Sequence, residues 1–195
     1  SAMLIDFSQK DTLYAHADTF KMYSYALRSD SVYRVLHAYR HLRAYRRDIQ
    51  AVCDSLVYDG KDSVMTMYYD PIIWQEGQQL LGEEIKAFFN DSTIDSVQVL
   101  RQALSVERLD SVHYNHVTGN EMHSYFRDGE IYLSTSIGNV YVNYFHVDED
   151  SILAEMNYTE TTHLKIFLKN RKVEKIWMPA ATGSFYPLPL IPADK

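Results

Sequence analysis

The sequence predicts an all-β protein made by stacking copies of one short, two-faced hairpin unit. Two observations carry this. The chain of 195 residues is 46% hydrophobic with 16 Tyr and 8 Phe, which is too apolar and aromatic for disorder and favours strands. And near-copies of one stretch recur: "IKAFFNDSTIDSV" from Ile85, "MHSYFRDGEIYLS" from Met122 and "LKIFLKNRKVEKI" from Leu164. A recurring unit too short to bury its own apolar face must stack on its neighbours.

Taken in order, the units share a four-residue opening: a mostly small residue, a polar residue, any residue, then an apolar anchor. It reads Ala17-Asp18-Thr19-Phe20, Cys53-Asp54-Ser55-Leu56, Gly82-Glu83-Glu84-Ile85, Gly119-Asn120-Glu121-Met122 and Thr161-Thr162-His163-Leu164. The anchors lie 36, 29, 37 and 42 residues apart. In the first unit the polar corner is lengthened around "LRSDSV". The segment from Val32 to Ile49, rich in Arg, has apolar residues at helical spacing, yet it leads into the second opening as other units do and is read as strand. The second unit turns early at "DGKD". The third, fourth and fifth turn at "NDST", "RDGE" and "KNRK", and Asp128-Gly129 is a strong tight-turn signal because Gly accepts a positive φ. Residues 1–12 read as an expression-tag remnant (Ser1-Ala2-Met3) and lead-in, from which a native signal peptide is expected to be missing. Residues 13–186 form the repeat domain of about five units. The last stretch, from Pro179, carries four of the five prolines and should leave the sheet, with 187–195 as a Pro-rich extended tail.

Successive strand side chains point to opposite faces. One phase, Ile85/Ala87/Phe89, Met122/Ser124/Phe126 and Leu164/Ile166/Leu168, is apolar but for Ser124 and should line the interior. The other, Lys86/Phe88/Asn90, His123/Tyr125/Arg127 and Lys165/Phe167/Lys169, fits a solvated face with an aromatic row. Stacked sheets of this kind either close as a core or leave a slot for aliphatic chains.

Several chemistries find little support. The net charge of −7 argues against a general nucleic-acid binder. No apolar run reaches the roughly 18–20 residues of a membrane-spanning helix. His37/His41 and His113/His116 have helix-face spacing but fall in strand or loop without Cys partners, so no metal is expected. Cys53 occupies the small-residue position of its unit and should be a buried, inert thiol. Carboxylates such as Glu83-Glu84 and Asp148-Glu149-Asp150 read as solvated. No nucleophile or nucleotide motif is present, so neither an enzyme nor a cofactor is expected. Two basic clusters, Arg40/Arg43/Arg46/Arg47 and Lys169/Arg171/Lys172/Lys175, are solvated strand edges or contacts for anionic head groups.

The iterated unit, in forms such as "CDSLVYDGKDSVMTMYYDPIIW" and "GNEMHSYFRDGEIYLSTSIGNV", resembles the OstA-like (LptA) family of periplasmic lipopolysaccharide-transport proteins, which includes the N-terminal domain of LptD. The resemblance runs from about Leu13 to Tyr186. It implies a repeat-built β-jelly roll, two twisted antiparallel sheets open at the ends. It also implies a periplasmic, non-enzymatic carrier that shields lipopolysaccharide acyl chains in an apolar groove. Phe20, Met22, Leu56, Ile85, Phe89, Met122, Phe126, Leu164, Ile166 and Leu168 would line that groove, and Arg40, Arg43, Arg46 and Arg47 would meet the head groups. Partners would be lipopolysaccharide and other Lpt-type proteins, or a second copy joined through end strands. The alternative is a scaffolding β-stack with a closed core.

Overall fold

A computed structural model describes residues 2–6, 11–28, 31–75, 77–90, 93–147, 153–170, 172–188 and 190–191. The described residues contain strands and no α-helix. The strands form one continuous antiparallel sheet that folds along a line of corners into two layers, sheet I and sheet II, the jelly roll that the resemblance implies.

The path repeats a single move. Strands β1 (Ala2–Asp6) and β2 (Leu13–Ala17) pair in sheet I, and the chain turns a corner at Asp18 into sheet II as β3 (Thr19–Arg28) and β4 (Ser31–Tyr39). It returns through Arg40-His41 to β5 (Leu42–Arg46) and β6 (Ile49–Cys53) in sheet I. A second round gives β7 (Ser55–Asp59) and β8 (Val64–Tyr68) in sheet II, then β9 (Ile72–Gln75) and β10 (Gln78–Leu81) in sheet I. After β11 (Glu84–Asn90) the strands lengthen. β12 (Thr93–Arg108), β13 (Tyr114–Arg127), β14 (Glu130–Val147) and β15 (Leu153–Lys169) each run through the corner, half in either sheet. β16 (Lys172–Trp177) closes sheet II and β17 (Thr182–Pro187) closes sheet I.

The four-residue opening shared by the units is the corner itself. Ala17, Cys53 and Thr161 are buried there, because the chain folds tightly where it changes sheet and leaves room for little more than a Cβ. In three of the units the polar second residue ties this corner to the neighbouring return corner. Asp18 Oδ2 lies 3.0 Å from His41 Nδ1, Arg101 Nε donates to Glu83 at 2.8 Å, and Asn139 Nδ2 donates to Asn120 at 3.3 Å. In the fifth unit Thr161 Oγ1 donates to the Pro179 carbonyl at 2.7 Å. Each exposed pair is worth little alone, but such joins recur in the first, third, fourth and fifth units, whereas in the second Asp54 accepts from Ser55 Oγ at 2.6 Å within its own corner.

The return corners are made differently. Arg40/His41, Tyr69/Asp70, Arg101/Gln102 and Gly138/Asn139 all have φ between 49° and 73°. That left-handed backbone costs a non-glycine residue roughly 1 kcal/mol or more. The next residue after each pair, Leu42, Pro71, Ala103 or Val140, is buried, and that burial holds the corner. The Asp128-Gly129 turn has φ of 54° and 79°, the pattern of a tight hairpin.

Two readings are corrected. Residues from Pro179 do not all leave the sheet: Thr182–Pro187 pair with β15, Pro187 opposite Glu155. β17 is an edge strand, where a missing N–H is tolerated. The lead-in is also part of the structure, since Ala2–Asp6 pair with Leu13–Ala17. Arg171 and Asp148-Glu149-Asp150 lie outside the described residues.

Candidate functional site

The inner face of sheet II is ordered in rows parallel to the line of corners. The deepest row crosses nine strand segments in unbroken register: Phe20, Ala38, Leu56, Met67, Ile85, Val99, Met122, Ser136 and Leu164. All but Phe20 and Leu56 are buried. The next row holds Met22, Leu36, Tyr58, Met65, Ala87, Val97, Ser124, Ser134 and Ile166. The outermost includes Phe89, Ile94, Phe126, Ile131 and Leu168, all half-buried. Burial thus falls from the corners outward, as it must between two walls that part like a V.

Sheet I supplies the opposite wall with smaller groups. Ala15, Ala17, Leu42 and Cys53 are buried, and Ala44, Ala51, Ile73, Leu80 and Val117 pack against the same core. Small residues facing large ones let the walls approach at the corners at interior packing density. Two residues further out, the same face of sheet I turns polar, with exposed Gln75, Gln78 and Glu107. Asn115 donates to Glu107 at 3.1 Å. The rim also carries Arg46, held by Asp48 at 2.6 Å. The result is an apolar depth under a polar lip.

The apolar phase stays inward-facing at both ends of the stack and is uncovered there. Met22 is 59% exposed at the β3 end. At the other end Val173, opposite Leu168, and Ile176, opposite Ile166, are 56% and 53% exposed. Phe185 of β17 is 67% exposed. Covering such side chains is worth about 25 cal/mol per Å², so the open ends are places where apolar surface is left to be used.

The sequence-derived groove residues therefore share one face, with Ile85, Met122 and Leu164 deep, Phe20 and Leu56 beside them, Ile166 midway, Phe89, Phe126 and Leu168 towards the mouth, and Met22 at an end. The four arginines are not brought together. Arg40 sits at a return corner, Arg43 on the outer face of β5, Arg46 on its groove side, and Arg47 in the following turn. At about 3.3 Å per residue, Arg40 and Arg46 are roughly 20 Å apart along the chain. Lys169 and Lys172 do face each other across β15 and β16. Sequence reasoning read each unit as a hairpin but named no groove residue on its second strand, although Met65 and Met67 alternate with Val64, Thr66 and Tyr68 as plainly as the first strands do. It also missed Ser134 and Ser136, which with Ser124 make the inner face less apolar towards the C-terminal end. On the outer face Phe88, Tyr125 and Phe167 do fall in one row.

Ionisable groups take structural parts. Among the described residues no three His, Cys, Asp or Glu side chains converge. Burial pushes the Cys53 thiol up to about 12, and its Sγ donates to the Ser55 carbonyl at 3.2 Å. Its thiolate is roughly a thousand-fold scarcer than that of an ordinary thiol. Native protein should therefore react with an alkylating reagent at pH 8 at least about a hundred-fold more slowly than urea-unfolded protein. Matching rates would show the corner to be open.

Asp110 accepts from the Val112 and His113 amides at 2.8 Å each and lies 2.8 Å from His113 Nδ1. These bonds, the Val112 amide first, hold its carboxyl at about 2, below the usual 3.8. Its contribution to the turn is present above pH 4 and lost as pH falls through about 2. The Val112 amide resonance should titrate with that midpoint, and a midpoint near 4 would contradict the turn geometry.

No family model matches the chain, and no curated protein is significantly similar to it. Among solved structures it matches the crystal structure of LptH, the LptA-homologous periplasmic component of the lipopolysaccharide transport device from Pseudomonas aeruginosa. The match has a TM-score of 0.50 and 14% identity, and covers 71% of this chain and 93% of that one. At that identity the likeness speaks for architecture alone, and the architecture of this chain is an LptA-like β-jelly roll.

Proposed function

We propose that this protein is a non-catalytic periplasmic carrier that holds lipopolysaccharide by its acyl chains and passes it towards the outer membrane. The observation that supports this best is the inner face of sheet II: apolar but for Ser124, Ser134 and Ser136, in register across the stack, increasingly open towards the mouth and uncovered at both ends. An acyl chain laid along it gains about 0.8 kcal/mol per buried methylene. Sugars and phosphates of the same lipid would remain at the polar lip.

The ends support a second part of the reading. Among the described residues β1 and β3 present unpaired strand edges at one end of the stack, and β16 and β17 at the other. Pairing one end to the other, in a second copy or in another Lpt-type protein, would extend both sheets and join the grooves.

The test is chemical. Protein produced in a lipopolysaccharide-containing host is extracted with organic solvent, and the extract is analysed by mass spectrometry. Acylated glycolipid in stoichiometric amount is the expected result. Extracts free of lipid, together with failure to take up added lipopolysaccharide, would overturn the assignment.

A further inference from the structure

The outer face of sheet I carries a cleft that the groove does not use. Tyr14 stands opposite Tyr45, Tyr45 opposite Gln50, Gln50 opposite Trp74, and Trp74 opposite Gln79. Neighbouring strands lie about 4.8 Å apart, so Tyr14 and Trp74 are separated by about 14 Å across the sheet. Two hollows of about 300 and 450 Å³ open on this row and share Gln50 and Trp74, which makes them one continuous depression.

Its aromatic rings are unusual for this molecule. On the outer face of sheet II neighbouring rings close on one another: Tyr25 and Tyr33 stack across strands at 5.2 Å, and His37 and Tyr39 along β4 at 5.6 Å. Tyr14, Tyr45 and Trp74 make no ring contact among the described residues, although Tyr14 and Tyr45 are direct cross-strand neighbours. Their faces are left to the hollow.

Charge is arranged around them. Arg43 lines the depression on the corner side, and Arg47 and Arg108 on the other. Among the described residues neither Arg43 nor Arg47 has a carboxylate partner. The Arg108 guanidinium donates to the Asp110 carbonyl and, among the described residues, has no carboxylate partner. Among the described residues the lining carries one acid, Asp48, which Arg46 engages at 2.6 and 3.0 Å. A chain of net charge −7 thus keeps a cationic frame here.

We propose that this cleft is a second binding site, separate from the groove, for an acidic saccharide. Open aromatic faces stack on the C–H face of a sugar ring, whose hydrogens meet the negative π surface. Gln50 and Gln79 offer a donor and an acceptor each to adjacent hydroxyls. The guanidinium forks match carboxylate or phosphate substituents. Other occupants fit worse. β5, β6 and β9 are paired on both sides, so no peptide strand can add to them. An aliphatic chain would have to bury the two glutamines unpaired.

The experiment uses the full chain with Trp177→Phe, which leaves Trp74 as the one tryptophan. Its fluorescence is titrated with the deacylated, phosphorylated oligosaccharide of lipopolysaccharide, with maltoheptaose, and with inorganic phosphate. A saturable response to the phosphorylated oligosaccharide is expected, at least ten-fold weaker for maltoheptaose and weakened by added salt. Tyr45→Ala, and Arg43→Glu with Arg108→Glu, should each lower affinity ten-fold or more while acyl-lipid content by mass spectrometry stays unchanged. Equal affinity for maltoheptaose, an equal response to phosphate alone, or no response to the oligosaccharide would overturn the proposal. So would a response to intact lipopolysaccharide only, which would leave the groove assignment standing.

Discussion

Ile85→Asp is expected to unfold the protein, whereas Phe126→Asp is expected to fold and fail to retain lipid. The two side chains belong to the same inner face but to different depths. Ile85 is 1% exposed, fixed between Met67 and Val99 in the row nearest the corners. A carboxylate there has no partner and no water, a penalty of several kcal/mol added to the lost packing. Total stability for a domain is about 5–15 kcal/mol. Phe126 stands opposite Ile131 in the outermost row and is half-buried. Water reaches a carboxylate at that position when the groove is empty, but an acyl chain would have to strip it. Urea denaturation and lipid mass spectrometry on both variants check this. A Phe126→Asp protein that unfolds would indicate a closed core, and one that folds and keeps its lipid would remove the groove from the binding reading.

Gly82→Val should cost about 3 kcal/mol, the upper end of the range for overpacking a dense interior. The added Cβ would sit 2.4 Å from Val99 Cγ1 and 3.3 Å from the Arg101 carbonyl oxygen. Val99 cannot give way, because it is itself buried between Ile85 and Met122. The carbonyl belongs to a return corner and accepts the Glu83 amide at 3.2 Å. In a double-mutant cycle Val99→Ala should recover part of the loss, with a coupling of about 1 kcal/mol or more. Additive losses would mean that the corner relaxes as a whole. By contrast, an added Cβ at Gly129 meets nothing within 4 Å and strains only a φ of 79°, so Gly129→Ala should cost about 1 kcal/mol.

The strands, the unit and its inner phase were legible because each is written in residue type: Ile85, Met122 and Leu164 repeat an apolar anchor, and Asp128-Gly129 repeats a known turn chemistry. The small residue that opens each unit was legible as a position but not as a place, since nothing in Cys53 or Gly119 announces a change of sheet. The return corners were invisible. Arg40, Tyr69 and Arg101 are residue types that seldom take left-handed backbone, and each adopts it two residues before a buried one. The arginines dispersed for a related reason: a one-residue step changes face, and a corner changes sheet, so nearness in sequence did not survive as nearness in space. Tyr14, Tyr45 and Trp74 belong to three different strands, and no single stretch of sequence could show that they fall in one row.

The unbroken passage of β12 to β15 through both sheets has a consequence for how the molecule is made. Among the described residues each ladder joins strands no more than three apart in chain order, so the sequence distance closed at each step stays short for an all-β protein. The entropy of loop closure is met in small steps, and folding speed follows that locality more than size. Assembly can begin wherever one round has formed and spread by accretion in either direction. Lengthening such a protein by another round would leave the existing ladders untouched, so reach can change without refounding the fold.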